Sequence, residues 1–125
     1  MKVFECPFDK EVSVIIIYGD DAEYEQLAPH FEENIAFTPL GSELSLIVID
    51  GKATEEEWFS DEHLLVVMAH EMGHIRNNSV DEMDADLTGF DLLADSGLSE
   101  SAVSLYALEI QARYAGPHPT NLGKQ

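Results

Sequence analysis

Basic residues are scarce in this chain: six Lys and Arg stand against 25 Asp and Glu, for a formal net charge of −19. No Lys or Arg occurs between Lys52 and Arg76, or between Arg76 and Arg113. A surface this acidic repels phosphate backbones and anionic bilayers, so neither nucleic acid nor a charged membrane surface is an expected partner. Basic peptides would be attracted to it, although acidity can equally serve solubility alone, for example in a salty environment. Cysteine is nearly absent too. Cys6 is the only one, which excludes an intrachain disulfide and a zinc site built from thiolates. Any metal must be held by His and carboxylates. No apolar run approaches the ~18 residues of a membrane span, and the segment MKVFECPFDKEV lacks the apolar stretch of a secretion signal. A cytoplasmic location follows as the default expectation. Asn77-Asn78-Ser79 matches a glycosylation sequon, which means little without such a signal.

What is present is the composition of one ordinary globular domain over residues 1–125: 45% hydrophobic and 25% charged. A chain of 125 residues can bury roughly two thirds of its unfolded surface. Residues 12–18 (VSVIIIY) are β-branched and end at Gly19-Asp20, the pattern of a buried strand closed by a turn. Tyr24, Leu27, Phe31 and Ile35 recur at helical spacing, with Pro29 predicting a kink or restart near Ala28. A second strand is predicted at 44–49, and 52–58 reads as an exposed acidic connection. From Ser60 or Asp61 a helix apolar nearly all round runs to Asn77-Asn78, and such a helix belongs at the centre of a domain. Further helices are predicted from Ser79 through Met83, Leu87, Phe90 and Ala94, and from Ser99 to about Tyr114. Gly116-Pro117-His118-Pro119 then opens a tail over 116–125. The fold class is α+β, a small sheet followed by three or four helices.

His70-Glu71-Met72-Gly73-His74 sits on the central helix, where a spacing of four puts both imidazoles on one side, one turn apart. Two nitrogens can therefore share one ion, and Glu71 beside them can take a proton from a metal-activated water. With this chain's five His and 15 Glu, the pattern would arise by chance about 0.02 times. A helix face that merely happens to carry His, Glu and His is the competing reading. Its location on a buried helix weighs against that, because uncompensated polar groups are costly there. Gly73 costs ~1 kcal/mol in a helix interior, which predicts that a neighbouring backbone or ligand approaches closely.

A third ligand is needed. If Met83, Leu87, Phe90 and Ala94 face inward, Asp81 points away, Glu82 and Asp86 flank one edge, and Asp84 and Asp91 flank the other. The pairing of 82 with 86 favours their edge. Yet Ser79-Val80-Asp81-Glu82 also spells a capping box, in which Glu82 would serve only the helix terminus. His63 lies seven residues before His70 on roughly the same face, and is otherwise an exposed residue at a helix start. Tyr106 and Arg113 share a face of the last helix and are candidates to stabilise an oxyanion; packing and surface charge account for them more simply. His118 could fold back onto the metal or lie in a free tail.

The sequence from His70 to His74, followed by Glu82-Met83-Asp84-Ala85-Asp86, resembles the gluzincin pattern of H-E-x-x-H with a downstream E-x-x-x-D. In its small size the chain is similar to the minigluzincins and to ImmA/IrrE-type peptidase domains. The resemblance implies a zincin-like fold with the active-site helix at its centre, Zn²⁺ on His70, His74 and Glu82, and Glu71 as general base. It also implies Asp86 as the acceptor that orients a histidine. The expected activity is zinc-dependent hydrolysis of a peptide or protein substrate, with the strand at 44–49 as the rim along which an extended peptide binds. Two alternatives remain: a zinc-stabilised binding or regulatory module without turnover, and hydrolysis of a non-peptide amide.

Overall fold

The computed structural model describes residues 1–41 and 45–114. Two strands, β1 (Lys2–Cys6) and β2 (Asp9–Ile17), form an antiparallel hairpin whose register shifts between Glu5 and Cys6. The chain then forms α1 (Tyr24–Phe31) and the two-residue β3 (Ala36–Phe37), before β4 (Leu46–Asp50) pairs in parallel with β2, Val14 opposite Ile47 and Ile16 opposite Ile49. Since β3 joins β4 in antiparallel fashion, the mixed sheet has the order β1-β2-β4-β3. Four helices follow: the single turn α2 (Gly51–Thr54), α3 (Asp61–Asn77), α4 (Glu82–Ala94) and α5 (Glu100–Tyr114).

Alternation along the central strands creates two apolar layers, because successive side chains of a strand point to opposite faces. Val12, Val14, Ile16, Ile47 and Ile49 meet Val66, Val67, Met68, Ala69 and Met72 of α3. On the other face Ile17 and Val48 cluster with Phe31, backed by Ile15, Tyr24 and Leu27. The α+β expectation therefore holds, with α3 between the sheet and the other two long helices. No helix among the described residues is long and apolar enough to cross a membrane.

Several expectations need correction. Helix α1 passes through Pro29 without a restart and ends at Phe31, so Ile35 belongs to the approach to β3. Strand β1 was not foreseen, since its residues are mostly exposed and lack a clear period; β3 is too short to give one. The stretch 52–58 contains most of α2, whose Ala53 is buried. The inward stripe of α4 is also different. Met83 and Leu87 are 71% and 61% exposed, while Ala85, Gly89 and Leu93 are buried. The reason is backbone proximity: a Cβ on Gly73 would lie 2.6 Å from Ala85 Cα, and one on Gly89 3.2 Å from Ala69 O. Two helices that approach this closely must turn their smallest residues inward. The neighbouring backbone expected from Gly73 is thus α4.

Candidate functional site

Ser60 caps α3, its hydroxyl accepting from the His63 N–H, and the helix runs unbroken until Asn78 adopts left-handed φ 46° and ψ 50°. That turn brings the Ser79 N–H to His74 O at 3.2 Å and folds the chain back after one helical length. The predicted capping box at Ser79 does not form. Ser79 Oγ accepts from the Asp81 N–H, Asp81 Oδ1 caps the Asp84 N–H, and α4 starts at Glu82. Glu82 is consequently released from capping and faces the histidines.

The two imidazoles lie 4.8 Å apart, ring centroid to centroid, nearly perpendicular. Their Nδ1 atoms are anchored: His70 donates to Asp86 Oδ1 at 2.8 Å, and His74 to the Ser79 carbonyl at 2.8 Å. Because a carbonyl only accepts, His74 Nδ1 carries its proton, and Nε2 is the atom presented to the cleft. Both Nε2 atoms converge on Glu82, His74 at 2.8 Å from Oε1 and His70 at 3.5 Å from Oε2. Donor atoms of His70, Glu71 and His74 also lie within 4.8 Å of one another, close enough to hold a metal ion.

Electrostatics follow from this packing. Burial disfavours a charge on His70, but hydrogen bonds to Asp86 and Glu82 outweigh it and push the imidazole up to about 10. His74 is raised chiefly by its bond to Glu82, and Glu82 is held well below the usual carboxylate range by the two histidines. Glu71 behaves oppositely: burial raises its pKa, against the lowering influence of His70, Thr38 and His74. It is 6% exposed and accepts a 2.9 Å bond from Thr38 Oγ1.

These groups line a cleft of about 550 Å³. One wall is β3 and its flanks, the floor is α3, and α5 closes the far side with Ala107, Ile110, Gln111 and Tyr114. The rim expected at 44–49 is displaced: β4 is paired on both sides, and β3 is the strand that borders the cleft. Tyr106 and Arg113 do not line it. Tyr106 packs on the His63 ring at 4.7 Å, and Arg113 lies over Trp58 at 4.2 Å. His63 is neither at the site nor exposed; it is 3% exposed and bonded to Ser60 and Glu109. His118 and the tail 116–125 lie outside the described residues. Sequence reasoning missed Thr38, Gln111 and Tyr114. A lone Thr after a two-residue strand carries no motif, and Tyr114 is turned by its bond to buried Asp50 at 3.4 Å, a partner 64 residues away.

No family model, curated protein or solved structure matches the chain.

Proposed function

We propose that this protein is a zinc-dependent peptide hydrolase in which His70, His74 and Glu82 hold the metal and Glu71 is the general base. The observation that carries the reading is the convergence of the two histidine Nε2 atoms on one carboxylate, while both Nδ1 atoms are tied to oxygen acceptors. Nitrogen and carboxylate donors of this kind, with a hydrogen-bonded oxygen behind each ring, suit Zn²⁺. Glu82 is preferred to Glu71 as third ligand because each of its oxygens faces an Nε2, whereas one Glu71 oxygen is occupied by Thr38. When bound, zinc supplies Lewis acidity, activating a water molecule and polarising the substrate carbonyl.

The protein's own contribution is proton handling. Desolvation makes Glu71 a stronger base than an exposed carboxylate, and Thr38 fixes Oε1 so that the other oxygen can take a proton from the attacking water. Glu71 then returns that proton to the leaving amine. An extended peptide fits along β3, whose outer edge is unpaired among the described residues. A cytoplasmic location accompanies this reading, since a single cysteine requires no oxidising compartment.

One observation favours a second reading, a zinc-stabilised binding module. Neither Tyr106 nor Arg113 lines the cleft, so neither of the two residues expected to stabilise an oxyanion stands ready to do so. The test is cleavage of a mixed peptide library by zinc-loaded protein, read by mass spectrometry, with and without residues 116–125. Glu71→Gln should retain zinc and lose ~10² to 10⁴-fold in rate. Equal cleavage by both proteins would sink the mechanism, and no cleavage by wild type would favour the binding module.

A further inference from the structure

The acidity of the chain is not spread evenly with respect to the cleft. Among the described residues four carboxylates line it, those of Glu33, Glu71, Glu82 and Asp86, and no Lys or Arg does. The basic residues among the described positions lie elsewhere: Lys2 sits near the Phe4 ring, Lys52 over Tyr24 and Arg113 over Trp58, with Lys10 on β2 and Arg76 at the end of α3. Even with a divalent cation bound, four carboxylates keep the cleft negative, whether or not Glu71 holds a proton. Between the charges the walls are aliphatic, formed by Ile35, Ala36, Val66, Val67 and Ile110. A low-dielectric wall beside uncompensated charge focuses the field on an approaching ligand.

Glu33 is distinct among the four. It is exposed, and among the described residues it forms no hydrogen bond or ion pair with His70 or His74 and no ion pair elsewhere. It lies three residues before β3, whereas Thr38, which holds Glu71, immediately follows that strand. The general base and the free carboxylate therefore flank the same strand from opposite ends.

We infer that the substrates are peptides in which a lysine or arginine accompanies aliphatic residues, and that Glu33 is the specificity-determining residue that receives the basic side chain. This rests on the proposed hydrolase reading and adds the substrate class to it. Because Glu33 precedes β3 while Thr38, which holds Glu71, follows it, the basic residue should lie at a constant offset, and always on the same side, from the cleaved bond.

The experiment uses the full zinc-loaded chain and three peptide sets of equal aliphatic content, carrying Lys and Arg, Gln, or Glu. Basic peptides should be cleaved preferentially, with the basic residue at one offset in the product spectra. Glu33→Gln should lower the basic-to-neutral ratio of kcat/KM about three- to tenfold, and Glu33→Lys should shift preference toward acidic peptides. Both variants should keep their zinc, since Glu33 is bonded to neither His70 nor His74. Raising salt to about 0.5 M should remove most of the preference. Cleavage indifferent to charge, or a ratio untouched in both Glu33 variants, overturns the inference while leaving the hydrolase reading intact. If nothing is cleaved, the hydrolase reading falls. Fluorescence anisotropy with the same peptides then decides the binding preference: neutral peptides bound as tightly as basic ones would refute it.

Discussion

His63 and His70 lie two turns apart on α3, and each ring has both nitrogens engaged, yet the two are held in opposite senses. His63 Nδ1 accepts the Ser60 N–H at 3.0 Å, which leaves its proton on Nε2, 3.0 Å from Glu109 Oε1. Trp58, Phe59 and Tyr106 surround it within 5.6 Å, ring centroid to centroid. At His70 and His74 the Nδ1 atoms face acceptors instead, and the Nε2 atoms point together toward the open cleft. A backbone donor thus consumes a lone pair in one case, and oxygen acceptors free one in the other. What distinguishes a metal-competent histidine here is the hydrogen bond on its far side, not its place on the helix.

The largest effect that could break this contrast is on metal content. His70→Ala or His74→Ala should reduce zinc from about one per chain to none in protein purified without added metal, because neither histidine alone completes a site. His63→Ala should keep its zinc and melt at lower temperature. Elemental analysis and a thermal melt decide it, and loss of zinc from His63→Ala would erase the distinction.

Next in size are the partners of the imidazoles. Glu82→Ala should weaken zinc binding most, and Asp86→Ala by roughly 10 to 100-fold, the usual range for a residue that orients a ligand. Asp81→Ala and Asp84→Ala should have little effect, since both side chains lie at the start of α4 without touching either ring. Competition against a chromophoric chelator gives the order; Asp81→Ala as the most damaging change would contradict the geometry.

A smaller effect tests the frame that brings the partners together. Gly73→Ala drives a methyl group into the Ala85 backbone and should cost about 1–3 kcal/mol in denaturant unfolding. Gly89→Ala, with its nearest contact at 3.2 Å, should cost less. Equal stability of both variants with wild type would mean that the helices are not so closely apposed.

The smallest effect is the pH response of chelator-treated protein. His70 is raised from 6.5 to about 10, so its stabilising contribution is complete below 6.5 and disappears as pH rises through about 10. Glu82 is lowered from 4.5, so its contribution is present above 4.5 and is lost in more acid solution. The melting temperature without metal should therefore fall by a few degrees on passing from pH 7 to above pH 10, while zinc-loaded protein should not show this loss. Zinc uptake at pH 7 should release protons, seen as a calorimetric heat that depends on the buffer. A heat independent of buffer would show that the imidazoles are already neutral.

The sequence made α3 legible because capping residues, an apolar helix and the H-E-x-x-H spacing all lie within one continuous segment. The pairing of Glu82 with Asp86 was readable as well, although for a different reason from the one the helical wheel offered. Counting apolar residues put Met83 and Leu87 inside; tight packing put Ala85 and Gly89 there, and the edge bearing 82 and 86 came with them. Composition does not reveal how near two helices will come. Thr38 and Tyr114 were illegible because each is held by a partner distant in the chain, Gln111 because it carries no motif, and β3 because two residues show no period.

The turn at Asn78 has a consequence for how the protein assembles. It confines both histidines, Glu82 and Asp86 to the segment 70–86, so gathering them closes only short loops and costs little chain entropy. Thr38, by contrast, meets Glu71 across 33 positions of sequence and must await the pairing of β3 with β4. The two sets of contacts thus differ in kind: the helical hairpin brings the imidazoles to Glu82 and Asp86 through local closures, whereas Glu71 is joined to Thr38 by a long-range one, the kind that slows folding.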